Sequence, residues 1–161
     1  MKYEARVFVR RFGGVAAMLL ALGPAVVVAA PPAEAAYVPS PAATTLYEYQ
    51  VINAINAQRA NYHRDRLWLS SCPQRYADRW APYMVWYFRH QSMLPILQGC
   101  HATEVAENLA AGNFSASGMV AAWMNSPGHR ANILDSRLNR IGVAAVYARG
   151  RWNVVADFTR S

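Results

Sequence analysis

The chain has 161 residues and a mass of 17.9 kDa, room for one domain. Its 54% hydrophobic content against 16% charged residues excludes a disordered chain, and nine Gly and nine Pro without a period exclude a collagen-like or repetitive one. The net charge is +7, carried by 15 Arg and one lysine, and two Cys are too few for a disulfide scaffold or a four-cysteine zinc site.

The N-terminus reads as an address. Lys2, Arg6, Arg10 and Arg11 form a basic start, residues 12–30 carry no charge, and Ala33-Glu34-Ala35 is an A-x-A site. Together they predict a secretory signal peptide over residues 1–35, cut after Ala35 or Ala36. An uncleaved anchor is the alternative, because the apolar run approaches the length that spans a bilayer. In both cases the domain ends up outside the cytoplasm. The cut chain keeps 12 Arg against seven acids, a charge of +5. These arginines form no dense run, so no specific nucleic-acid binding is expected. An oxidising compartment makes Cys72 and Cys100 a candidate disulfide, worth about 3–4 kcal/mol by loop entropy; two free thiols are the alternative.

Residues 36–45, with Pro39 and Pro41, read as a linker that ends in an N-cap at Thr44 or Thr45, and the domain proper as 46–161. A first helix is predicted over 46–61, with Leu46, Tyr49, Ile52 and Ile55 or Asn56 on its apolar face. Residues 68–72 read as a connection. A second helix over 73–90 carries Tyr76, Ala77, Trp80, Ala81, Met84 and Tyr87 or Phe88 inward, with a kink at Pro82. Residues 93–103 read as irregular, and Glu104–Ala111 as an apolar stretch that could be a strand. A third helix follows over 115–125, then a helical turn over 129–134.

Residues 141–147 and 152–158 read as a hairpin joined through Ala148-Arg149-Gly150-Arg151. One face of this hairpin carries Ile141, Val143, Ala145, Tyr147, Trp152, Val154, Ala156 and Phe158. Its other face, Gly142, Ala144, Val146, Asn153, Val155 and Asp157, is also largely apolar or small, so both faces need covering, and helices are the available cover. The expected fold is α+β: a three-layer α/β/α sandwich with a small central antiparallel sheet. Most of the five Trp are expected in the core.

The chain has four His: His63, His90, His101 and His129. Glu107 lies in the apolar stretch Val105-Ala106-Glu107-Asn108-Leu109, where an acid is costly to bury unless paired or ligated. No HExxH, CxxC, GxSxG or phosphate-binding loop occurs. Ser92 or Ser126 beside a His is conceivable as a nucleophile, without a strained turn to present it. His90, Glu107 and His129 form the candidate site; the alternative is that each His caps or bonds locally.

At these residues the chain resembles the CAP superfamily: cysteine-rich secretory, antigen 5 and pathogenesis-related proteins, in its short bacterial SCP-like extracellular branch. Asn56-Ala57-Gln58-Arg59 resembles the family's N-x-x-R, and Phe88-Arg89-His90 its F-S-H. Glu107-Asn108-Leu109-Ala110-Ala111-Gly112 resembles its E-N-[IL]-A-x-G. Residues 123–134, from Trp123 through Ser126-Pro127-Gly128-His129-Arg130-Ala131-Asn132 to Leu134, resemble the bacterial W-M-x-S-P-G-H-R-x-N-I-L.

The resemblance implies a central cleft with two His and two Glu able to bind zinc or another divalent cation. By position these are His90, His129 and Glu107, with Asn108, Ser126 and Arg130 as neighbours. The second Glu is missing, since its place falls near Ser126, and Ala106 replaces the usual Gly. His90, Glu107 and His129 would make a His₂Glu zinc set with an open fourth place. The expected function is a secreted, monomeric, non-enzymatic binding module for a lipid or sterol, an envelope component or a protein partner. Membrane contact is expected only through an uncleaved N-terminus. The alternative is a metal-dependent hydrolase using a His/Glu-bound zinc.

Overall fold

The computed structural model describes residues 37–161, which lie within one compact unit; the expected leader, residues 1–35, lies outside the described residues. The first helix, α1, runs Pro41–Asn61, five residues earlier than expected. Ser40, not Thr44 or Thr45, is its N-cap, accepting from the Ala43 amide at 3.2 Å. Pro41 fits the first turn because that position needs no backbone donor, so residues 41–45 are helix rather than linker.

The buried face of α1 is Tyr47, Val51, Ile52, Ile55 and Arg59, while Leu46 and Tyr49 point to solvent. Residues Trp68–Leu69, expected as a connection, form a strand β1 too short to show a period. Helix α2 spans Ser71–Met84 instead of reaching His90. Pro82 has no N–H to donate back along the helix, which ends two residues later. Tyr87 and Phe88 are therefore not on its inner face but exposed in the following turn.

Within the stretch expected to be irregular, Leu94–Gly99 forms a short helix α3. Strand β2 spans Glu104–Gly112, helix α4 Ala116–Met124 and helix α5 Pro127–Leu134. Strands β3, Arg140–Ala148, and β4, Arg151–Arg160, close the chain. Arg149 at φ 55° and Gly150 at φ 71° make the hairpin turn two residues long, the left-handed pair that matches strand twist.

The sheet order is β1-β3-β4-β2. β2–β4 and β3–β4 are antiparallel, but β1 runs parallel to β3. The expected antiparallel sheet is therefore mixed. The expected covering of both faces is observed. On one side Ile141, Val143, Ala145, Val154, Ala156 and Phe158 pack with the buried residues of α1, α4 and α5. On the other, Leu109, Ala144 and Val155 pack against Ala77, Ala81 and Met84 of α2. At Gly142 the sheet meets the first turn of α2 so closely that a Cβ would fall on the Gln74 backbone. Of the five Trp only Trp123 is fully buried; Trp68 and Trp86 are exposed, against the expectation that most are core.

Both outer edges of the sheet are finished by side chains. On β3, past the end of β1, the Gln74 amide takes both backbone groups of Val143, at 3.0 Å from its N–H and 2.8 Å to its carbonyl. The Ala145 N–H donates to Glu48 at 2.8 Å. On β2, Asn132 donates to the Glu107 carbonyl at 3.1 Å and the Trp123 indole to the Leu109 carbonyl at 3.0 Å. Cys72, in the first turn of α2, is disulfide-bonded to Cys100 just after α3. The pairing expected of these two cysteines is therefore present. No helix among the described residues is long and apolar enough to cross a membrane.

Candidate functional site

Glu107 sits mid-strand in β2 with its side chain 1% exposed. Its cross-strand partner on β4 is Asp157, which is fully buried. Two adjacent buried acids need donors, and the segment after α2 supplies them. His90 donates from Nδ1 to Glu107 Oε1 at 2.6 Å. The Gln91 backbone N–H reaches the same oxygen at 3.3 Å, and Gln91 Nε2 reaches Oε2 at 2.8 Å. The same Gln91 nitrogen lies 3.2 and 3.0 Å from the two Asp157 oxygens. This segment is held to α2 by the Trp80 indole, which donates to the Arg89 carbonyl at 3.0 Å.

On the far edge of β2 lies α5. Asn108 is buried, and its Nδ2 donates to the His129 carbonyl at 3.1 Å. Asn132 donates to Asn108 Oδ1 at 2.9 Å as well as to the Glu107 carbonyl. The helical turn expected over 129–134 starts two residues earlier: Ser126 is the N-cap and Pro127 opens α5. His129 thus stands in the first turn, near the Trp123 ring at a centroid distance of 6.4 Å. Burial, and next the nearby charge of His90, lower the His129 pKa below the usual imidazole value. Burial, and next the Glu107 charge, push Asp157 up to about 8, against the opposing bond from Gln91.

His90 and Glu107 are therefore in direct contact, and His129 is close enough to His90 to feel its charge. Arg130 is not in this group: its guanidinium lies over the Tyr62 ring at 4.9 Å and lines a separate cavity of about 380 Å³ with Met124, Pro127 and Leu134. Among the described residues the one side-chain bond to an imidazole is that from His90 to Glu107, so neither Ser92 nor Ser126 is paired with a His. Sequence reading missed Gln91 and Asp157. Asp157 carried the same signal as Glu107, an acid inside an apolar strand; Gln91 carried none.

Two motif residues turn out to be structural. Asn56 clamps the Leu67 backbone, donating at 3.1 Å and accepting at 2.8 Å. Arg59, fully buried, donates to four carbonyls: Asp65 at 2.6 Å, Ile133 at 2.7 Å, Asp135 at 2.9 Å and Leu138 at 3.3 Å.

The donor set can be tested for the expected zinc. Both Glu107 oxygens are occupied by His90 and Gln91. Among the described residues no three His, Cys, Asp or Glu converge as ligands. The imidazoles of His90 and His129 are the donors left, short of the three protein ligands of a catalytic zinc. The residues present do not fit a His₂Glu centre, and Glu107 acts instead as the partner that orients His90.

The model of the cysteine-rich secretory protein family, CAP, matches residues 52–158. The uncharacterized protein YkwD of Bacillus subtilis (strain 168) is 31% identical over 123 residues, covering 70% of this chain and 48% of that protein. Among solved structures, an extracellular protein containing an SCP domain from Bacillus anthracis superposes with a TM-score of 0.65 at 20% identity, covering 76% of this chain and 44% of that one. An outer surface protein from Borrelia burgdorferi gives 0.64 at 18% identity, covering 78% and 98%. The chain thus spans about half the length of YkwD. With the α/β/α layers, the Glu107-Asn108 strand and the Pro127–Asn132 helix start in place, this chain belongs to the cysteine-rich secretory protein family, in its bacterial SCP-like form.

Proposed function

We propose that the domain works outside the cytoplasm as a non-catalytic binding module. Its binding centre is the cleft between the His90 segment, β2 and α5. The ligand class is a lipid or sterol, an envelope component or a protein partner. One observation carries the reading: both oxygens of the buried Glu107 carboxylate are engaged by His90 and Gln91, so Glu107 serves to hold the His90 segment against β2. A general base needs a free lone pair within reach of substrate. The nearby Asp157 is fully buried beneath Gln91, out of reach of a substrate. The extracellular and outer-surface descriptions of the solved relatives support the location.

The alternative, a zinc hydrolase, needs a third protein ligand beside His90 and His129, and among the described residues none converges with them. The test pairs two measurements on the wild type and on His129→Ala. Esterase, peptidase and phosphodiesterase substrates are turned over no faster by the wild type than by the variant. Titration with palmitate, with cholesterol and with purified cell-wall polymer finds one ligand whose binding the variant weakens. A turnover abolished by His129→Ala overturns the proposal, and no binding to any of the three removes the lipid, sterol and envelope ligands and leaves the protein partner.

A further inference from the structure

The turn after α2 exposes three large side chains in a row: Trp86 at 68%, Tyr87 at 56% and Phe88 at 57%. It is not a loose loop. Tyr87 stacks on Tyr83 at 4.9 Å, Tyr83 packs on Trp80 at 4.7 Å, and Arg89 donates to the Tyr83 hydroxyl at 3.0 Å. The Trp80 indole pins the Arg89 carbonyl below. A water-facing aromatic row held in place this way costs solvation and does not serve the core.

Two cations accompany the row. The Arg149 guanidinium, from the β3–β4 hairpin tip, lies 4.0 Å over the Trp86 ring. The Arg89 guanidinium lies 5.7 Å from the Tyr83 ring and 5.9 Å from that of Tyr87. Residues 79–91 and 144–156 contain no Asp or Glu, and residues 37–161 carry 12 Arg against seven acids. The exposed aromatics line none of the three cavities of about 140, 380 and 320 Å³. This surface is therefore suited to a broad anionic face and not to enclosing a single small molecule.

We propose that Trp86, Tyr87 and Phe88, with Arg89 and Arg149, dock the domain onto the surface of an anionic lipid bilayer. Trp and Tyr favour the depth of the headgroups, where the ring is half in hydrocarbon and the polar edge stays wet. Phe88 supplies purely apolar area below them. The two guanidinium groups, weakly hydrated and rich in donors, meet lipid phosphates. The surface lies in the domain itself, separate from any anchor at the N-terminus. His90 follows this row by two residues, so docking would set the cleft mouth beside the membrane. The surface is independent of the cleft's ligand.

The experiment uses residues 37–161, which contain both cores and the disulfide, with near-ultraviolet circular dichroism confirming the fold of each variant. Vesicles of phosphatidylcholine alone and of an equimolar mixture with phosphatidylglycerol are sedimented with the protein. The wild type binds the anionic vesicles with a blue shift of tryptophan emission, binds the neutral ones far less, and is released by high salt. Arg89→Gln with Arg149→Gln weakens binding by about 30-fold at low salt. Trp86→Ala with Phe88→Ala weakens it by about tenfold. Arg64→Gln with Arg66→Gln, which removes the same charge elsewhere, leaves most of it. Binding that survives His129→Ala separates this surface from the cleft. Absence of wild-type binding, equal binding to neutral vesicles, an equal loss in the Arg64 and Arg66 pair, or loss in His129→Ala overturns the proposal.

Discussion

Replacing Asp157 by Asn is expected to stabilise the protein, increasingly so as the pH rises. Asp157 is fully buried opposite Glu107, and its carboxyl is pushed up to about 8. In the unfolded chain it titrates near 4. Between those values the native state holds a proton that the unfolded state has released, so this site costs stability as pH climbs from about 4 to about 8 and is level above. About four units at 1.4 kcal/mol each set a ceiling on the order of 5 kcal/mol. Asparagine has the same shape, still accepts from Gln91 and does not titrate. Urea unfolding with the disulfide intact should find the two proteins within about 1–2 kcal/mol near pH 5, and Asp157→Asn ahead by about 2–5 kcal/mol near pH 9. His129, whose depressed pKa costs stability as pH falls below the ordinary imidazole value, is common to both proteins and cancels in the difference. A difference that does not change with pH, or a variant that is less stable near pH 9, refutes this account of the buried acid pair.

Arg59→Met keeps the aliphatic stem but leaves four carbonyls without a donor, and should cost about 3–5 kcal/mol in urea unfolding. Gly142→Ala drives a methyl into the Gln74 backbone and should cost about 3 kcal/mol. Its control, Gly128→Ala, has nothing within 4 Å of the new Cβ and should stay within about 1 kcal/mol of the wild type in the same assay. Protein dialysed at neutral pH should carry well below one zinc per chain by elemental analysis, since two imidazoles are a weak set; a full zinc per chain that survives dialysis would contradict the reading of Glu107 as already spent.

The layers were legible because the hairpin was apolar on both faces, and a doubly apolar sheet has few ways to hide. Cys72 and Cys100 could be paired because they are the two cysteines of the chain and the N-terminus reads as a leader to an oxidising compartment. The strand β1 could not be seen, because two residues carry no period, and with it went the parallel pairing. The start of α1 was lost because Pro39 and Pro41 look like a linker until Ser40 is found between them, capping. Proline also misled in the other direction at α2, which ends two residues after Pro82, so that Tyr87 and Phe88, one of which was expected inward, both face solvent. Within the site, His90 and Glu107 announced themselves by rarity and by cost of burial. Asp157 sent the same message from β4 and was passed over as one small residue among valines. Gln91 had no signal, because its role depends on two acids distant in sequence that only the β2–β4 register brings side by side.

The side chains that finish the sheet margins bear on how this protein behaves in a crowd. A four-stranded sheet has half its strands on the outside, each a template on which a neighbouring chain could continue the ladder. Here Gln74 imitates one residue of a missing strand with its own amide, and Asn132 and Trp123 do part of the same service at the opposite margin. These bonds take part of each margin out of use as a template without spending chain length on further strands. Trimming Gln74 to a side chain with no amide would leave both backbone groups of Val143 open, with the Ala145 N–H beside them still held by Glu48.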